Sequence, residues 1–289
     1  MKRLRKCLLM AVFCLAAAML VQPVKAQAKN PSKVVLKVGK TYKKYDVTGD
    51  KKKDRFKATV TKKNSFGGPK KLTISVNGKK TTLKCKDAFS VKLRLYTLKN
   101  GKAYLLVCGR DLESYDMYSS TNLYQYKKGK MRKVVNLYKY ARKNDWPFET
   151  GLRVDGNRIV VRQTKNTKGV GYVTFKYAYT YENGKLKIES KIAKVVNIAG
   201  DDWDYSEYYG TLADDRTLYT SPAANKGAGG FLEAGSLVDI THVYLSSEYT
   251  RVRIKDKYGK TAWIKCPNSY DYLVIDEAVC LPQTIQKPI

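Results

Sequence analysis

The segment from Asp46 to Asp54 (DVTGDKKKD) sets oxygen donors where a loop could close around a divalent cation. Asp46, Thr48, Asp50 and Asp54 stand at loop positions 1, 3, 5 and 9, and the backbone carbonyl of Lys52 stands at position 7. Calcium takes roughly six to eight such oxygens. Two features oppose it: Lys51 occupies position 6, where the sharp turn favours Gly, and three successive lysines repel a cation. The alternative is an Asp-rich turn without metal. Ca2+ is therefore carried as a possible cofactor, and no other cofactor is expected. Catalytic constellations are scarcer still. The single histidine, His242, would have to serve any Ser–His or Cys–His machinery, and neither G-x-S-x-G nor a nucleophilic Cys motif accompanies it. Zinc sites built from several histidines are excluded. Paired carboxylates could cleave a glycoside, but residues 29–200 hold only 12 Asp and Glu, mostly in turns. The reading is a binding protein and not an enzyme, with a carboxylate-type glycan hydrolase as third hypothesis.

Binding chemistry is written in the charge. The chain of 289 residues has 56 Lys and Arg against 25 Asp and Glu. Residues 29–200 carry 42 basic and 12 acidic residues, whereas residues 201–289 carry 9 and 13. Such a field favours anionic polymers and is screened by salt. From Leu123 to Lys143 the chain interleaves Lys and Arg, among them Lys127, Lys128, Lys130 and Arg132, with tyrosines, a composition suited to polyanions such as teichoic acid, acidic glycans or extracellular nucleic acid. Nucleic acid is not expected as the cognate partner. The plainer reading is that lysines solvate strands and blunt sheet edges.

The first 28 residues read as a secretory signal: a basic start (MKRLRK), a 15-residue apolar run from Cys7 to Val21, and small-residue cleavage sites ending at Ala26 or Ala28. That run is short for a membrane span, and no later segment is apolar enough for one, so a secreted, extracellular or wall-associated chain without membrane insertion is expected. An exported chain can form disulfides. Cys85, Cys108, Cys266 and Cys280 allow three connectivities, of which the local pairs Cys85–Cys108 and Cys266–Cys280 are preferred; four buried thiols are the alternative.

The elements that must position these residues are β-hairpins. Gly49, Gly78, Gly101, Gly129, Gly156 and Gly184 sit in turn-like clusters at gaps of 29, 23, 28, 27 and 28 residues. Asn-Gly between alternating runs favours a tight β-turn, because both residues tolerate positive φ. The flanks alternate with period two: Val91, Leu93 and Leu95 share one face, and Val173, Phe175, Tyr177, Tyr179 and Tyr181 another. Helical periodicity is weak. The pattern predicts about six antiparallel hairpins, or three units near 56 residues, each long enough for one four-stranded propeller blade. The charge break near residue 200 marks a domain boundary, and the acidic, aromatic stretch at 199–210 (AGDDWDYSEYYG) reads as a linker.

The run YDVTGDKKKDRFKATV at residues 45–60 resembles the start of an FG-GAP or VCBS-type repeat, the blade family of integrin-like propellers, and the similarity extends over residues 42–190. Three blades are too few for a closed ring, so a partial propeller, an open sheet or a sandwich is implied. Residues 212–266 resemble the bacterial SH3 family. The resemblance runs through LYTSP from Leu218 to Pro222, Phe231-Leu232 leading to Gly235, Val238 to Ile240, Tyr249 to Ile254, and Gly259 to Ile264, with Ala262 where the family has Gly before its Trp. It implies a small five-stranded β-barrel that contacts peptidoglycan or wall peptides. Tyr219, Tyr249 and Trp263 are its candidate groove aromatics, with a core role for Trp263 as the alternative.

These readings combine into an all-β chain: a signal peptide (1–28), a basic β-hairpin repeat domain (29–198), an acidic linker (199–211) and an SH3-like barrel with a C-terminal extension (212–289). The expected function is a secreted, non-catalytic envelope protein, its basic domain adhering to anionic polymers and its SH3-like domain contacting the wall. A structural spacer with no dedicated ligand, with or without bound calcium, is the alternative.

Overall fold

In the computed structural model, each of the six glycine turns closes an antiparallel strand pair, and all six glycines have positive φ. At Asn77-Gly78, Lys128-Gly129 and Asn183-Gly184 both turn residues have positive φ, and the flanking residues pair directly. This two-residue turn matches the right-handed twist of the strands it joins. The structure describes residues 32–85, 88–110, 118–139, 146–167, 171–199, 209–212, 215–228, 230–246, 250–266 and 275–279. Among them every regular element is a strand, so the fold is all-β.

Strand β1 (Lys33–Leu36) precedes a first meander, made of β2 (Thr41–Tyr45), β3 (Asp54–Lys63), β4 (Pro69–Val76) and β5 (Lys79–Lys84). The second meander is β6 (Ser90–Thr97), β7 (Ala103–Arg110), β8 (Tyr118–Lys127) and β9 (Lys130–Asn136), and β1 adds antiparallel to its β6 edge. The third is β10 (Trp146–Asp155), β11 (Arg158–Thr167) and β12 (Gly171–Glu182), followed by β13 (Lys185–Ile188) and β14 (Ile192–Ala199), which divide one edge of β12 between them. Of the three expected units, the first is a four-stranded open sheet, the second is four strands with β1 added, and the third has five strands within a larger sheet.

Two cores hold the three meanders face to face. Phe56, Ala58, Leu72, Ile74 and Val76 of the first pack with Leu93, Leu95, Leu105 and Val107 of the second. On the other side of the second meander, Tyr96, Tyr104, Leu106 and Leu123 pack with Ile159, Val161, Val173 and Phe175 of the third. Successive side chains of a strand point to opposite faces, so the middle sheet serves one core with its odd residues on β6 and β7 and the other with its even ones. That is why β7 reads as an unbroken apolar run, AYLLVCG, and is buried from Ala103 to Gly109. Adjacent meanders are also joined by hydrogen bonds, two between turns and one between strands. The Lys99 N–H donates to the Gly156 carbonyl (2.8 Å), the Asn100 N–H to Asn157 Oδ1 (2.9 Å) and the Met131 N–H to Thr81 Oγ1 (3.0 Å).

After β14 come β15 (Tyr209–Leu212), the short ladder β16 (Arg216–Thr217) with β17 (Phe231–Leu232), the meander β18 (Leu237–Tyr244), β19 (Arg251–Asp256) and β20 (Thr261–Lys265), and β21 (Ile275–Val279). The expected barrel is not closed among the described residues. One edge of β18 pairs with β19. Its other edge is split between β14 (Ile192–Lys194 against Tyr244–His242) and β15 (Gly210 and Thr211 against Val238 and Leu237), so the sheet opens into the third meander instead of returning on itself. Hydrogen bonding thus runs across the residue-200 charge break. The core does too: Val238, Ile240, Val252, Ile254 and Ile264 join the cluster of the second and third meanders.

Candidate anion-binding faces

The outer meanders each keep one face in solvent. On the first, the residues that alternate with the core point outward in cross-strand rows. Lys57, Ser75 and Lys80 form one row, Thr59, Thr73 and Thr82 the next, and Lys62, Lys71 and Lys84 a third. Arg55 flanks the first row, and the Thr73 hydroxyl lies 3.1 Å from that of Thr61 and 3.2 Å from that of Thr82. Arg55, Lys57, Thr59, Thr61, Thr73, Ser75, Lys80 and Thr82 line a shallow depression of about 580 Å³. No Asp or Glu occurs between Arg55 and Cys85. The six cations of this face form no ion pair among the described residues. Like charges directly opposite one another repel, and here no carboxylate offsets them.

A second depression, about 470 Å³, lies on the outer face of the third meander where it joins β18. Arg158, Lys176, Lys194 and His242 line it. Arg158 is neutralised by Glu189, its Nε donating to Oε1 (2.6 Å) and its Nη2 to Oε2 (2.7 Å). Those hydrogen bonds, with one from the Thr180 hydroxyl, hold the Glu189 carboxyl below the usual carboxylate range. Burial, Arg253 and Lys194 together push the imidazole of His242 below its ordinary value.

The Asp46–Asp54 loop is saturated by its own donors. Asp46 Oδ1 accepts from the N–H groups of Gly49 (2.5 Å) and Asp50 (3.2 Å), and Oδ2 from that of Lys51 (2.6 Å). Asp54 Oδ2 accepts from the N–H groups of Val47 (2.7 Å) and Thr48 (2.8 Å), and Oδ1 from the Asn77 amide (2.5 Å). Asp50 turns its carboxylate back to the Lys52 N–H (2.9 Å). No three acidic, His or Cys side chains converge among the described residues. The donor set fits a self-capped turn better than a calcium shell, since the two buried carboxylates already face several amides each.

Lys127, Lys128, Lys130 and Arg132 occupy the β8–β9 turn and its edge strand. Lys127 Nζ donates to the Gly184 carbonyl (3.4 Å), and Lys128, Lys130 and Arg132 are exposed. The two tyrosines just before them do not form a stacking platform with these cations, because Tyr124 is buried and Tyr126 packs on the core of the first two meanders. The edge strands β5, β9 and β13 carry KKTTLK, KMRKVVN and KLKI, the lysine-rich composition that discourages edge-to-edge pairing.

In the C-terminal part Trp263 is only 5% exposed and exchanges two backbone hydrogen bonds with Tyr219. The Tyr219 ring is capped by Arg251, whose guanidinium lies 4.4 Å from the ring centre and donates to the Ala224 carbonyl (2.5 Å). Trp263 thus packs the core, and Tyr219 presents no free face on that side. Tyr249 lies outside the described residues, as do Cys280, the signal segment and most of the acidic linker. The expected Cys85–Cys108 bridge is not formed: Cys85 is a free thiol in the core of the first two meanders, and Cys108 packs in the other core. Cys266 is buried beside Ile264 in that second core.

Sequence reasoning missed the two outward faces. Their cations stand at positions that alternate with core residues along each strand, which was legible, but the register that aligns them across strands was not. In comparisons with known proteins, no family model matches this chain, and no curated protein is significantly similar to it.

Proposed function

We propose that this chain is a secreted, non-catalytic protein of the cell envelope that adheres to anionic polymers. The observation that carries the reading is the outer face of the first meander, where Arg55, Lys57, Lys62, Lys71, Lys80 and Lys84 stand among threonines without a carboxylate. Lysine amines and the arginine fork suit phosphate and carboxylate oxygens, and the intervening hydroxyls supply neutral hydrogen bonds to a polar chain. On this reading the C-terminal SH3-like segment supplies a second contact to peptidoglycan, and two weak contacts on one chain raise avidity when both engage.

Sedimentation with purified walls across a salt series tests it. Strong retention at low salt and release as ionic strength rises is the expected result, with Lys57→Glu/Lys80→Glu released at lower salt than the parent. Retention that ignores both salt and this charge reversal removes the electrostatic basis of the proposal.

A further inference from the structure

The depression on the third meander is the centre of a longer feature. Arg162 on β11 pairs directly with Lys176 on β12, Lys176 with Lys194 on β14, Lys194 with His242 on β18, and His242 with Arg253 on β19. Five cationic or protonatable side chains therefore stand abreast on five adjacent strands. Their neighbours Val161, Tyr177, Ala193, Val243 and Val252 all enter the core, which fixes the row on the outer face. Adjacent strands lie about 4.8 Å apart, so the row is about 19 Å long. Glu189, the carboxylate beside it, is committed to Arg158, and Arg253 Nη2 spends one donor on the Thr261 hydroxyl (2.8 Å). Direct like-charge pairs repel. Arg162–Lys176 and Lys176–Lys194 set like charges side by side, a protonated His242 extends the run to Arg253, and a bound anion offsets that repulsion.

Accordingly we infer that Arg162, Lys176, Lys194, His242 and Arg253 form a track for one extended segment of a poly(phosphodiester), lying across the strands. The inference rests on the anionic-polymer reading above and adds to it a place, a ligand class and a proton. A chain with regularly repeated anions suits a row of cations at regular spacing. Each phosphodiester offers two non-bridging oxygens, enough to reach cations on two neighbouring strands, and Arg and Lys are both phosphate donors. The track also crosses from the third meander into the C-terminal part, so it exists only when β14 and β18 are paired.

His242 makes the track pH-sensitive. Its hydrogen-bond partner Thr241 donates to the Arg253 carbonyl (3.1 Å), so the Thr241 oxygen accepts from Nδ1–H (3.0 Å) and Nε2 is left to take up a proton. The charged groups facing the ring are Lys194 from β14 and Arg253 from β19, with Lys176 and the Arg158–Glu189 pair further along the cleft. Both facing groups are positive and disfavour the imidazolium in the free protein. A bound phosphate reverses that field, binding takes up a proton, and affinity rises as pH falls through neutrality.

Titration of the full chain with a poly(glycerol phosphate) oligomer at pH 8 and pH 5.5, with inorganic phosphate as a second ligand, tests the track. Expected is tighter binding at pH 5.5, about tenfold for each unit by which the ligand raises the imidazole, and much weaker binding of inorganic phosphate. Lys176→Glu/Lys194→Glu should bind at least about tenfold more weakly, with a shallower dependence of log K on log salt, by about 1.4 for two lost contacts. Relief of repulsion should leave its Tm equal to or above the parent's, which certifies its fold. His242→Gln should keep the pH 8 affinity and lose the rise at pH 5.5. Oligomer binding by the parent that is unchanged in Lys176→Glu/Lys194→Glu, or equal affinity for inorganic phosphate, overturns the track and leaves the general anion reading standing. A parent that binds no polyanion at low salt overturns both.

Discussion

Asp54 is 3% exposed, and its carboxylate ties the Val47 and Thr48 amides to the Asn77 side chain, joining the β2–β3 loop to the β4–β5 turn. Replacing it by Ala removes the acceptor of three hydrogen bonds, one of them to the buried Val47 amide, each a net loss of about 1 kcal/mol at most. Asp54→Ala is therefore expected to lose about 1–3 kcal/mol in urea denaturation, with Asp54→Asn losing less because one acceptor oxygen survives. Because Asp46 and Asp54 already face backbone donors, thermal melts with calcium and with chelator should superimpose; a calcium-dependent rise in Tm would show that the loop rearranges around the ion. The acidic loop was legible in the sequence as a spacing of oxygens. What it could not disclose was which partners those oxygens choose, since amide and cation compete for the same lone pairs. Trp263 teaches the same lesson: its motif was visible, its burial was not.

At the level of strands, the hairpins were the most legible feature, because positive φ at the turn and period-two alternation are both local. Two turns place a lysine at positive φ, Lys51 and Lys128. Lys128 has φ 48° in the first position of its two-residue turn, where Asn is better tolerated. Lys128→Asn should raise stability by about 1 kcal/mol, read as a shift of the denaturation midpoint. Core positions give the opposite sign. Leu106 is fully buried between the second and third meanders, and Leu106→Ala should cost about 2–5 kcal/mol depending on how far the cavity collapses. The continuous apolar run of β7 was readable as apolar, but the two-sided burial behind it depends on which sheets stack against it. That pairing is long-range and leaves no local trace.

For the molecule as a whole, the residue-200 charge break reflects surface composition, while the hydrogen bonds of β14 with β18 run straight across it. Backbone pairing ignores side-chain charge, which is why composition alone suggested a boundary there. A chain truncated after Ala199 would leave the β14 edge unpaired and uncover Ala193 and its neighbours in the shared core. Exposed strand edges and apolar patches drive association. Such a truncation should run larger than a monomer in size-exclusion chromatography and bind a hydrophobic dye, whereas the full chain should do neither to the same degree.

The doubly covered middle sheet sets how the protein comes apart. Neither outer meander can peel away without uncovering one side of β6 to β9, so no small opening frees the central amides. Deuterium uptake should be slowest at Leu105, Leu106 and Val107, at a rate set by unfolding of all three layers together, and fastest along the lysine-rich margins β5, β9 and β13. A protein built this way resists proteases as one block, with its charged exteriors still displayed.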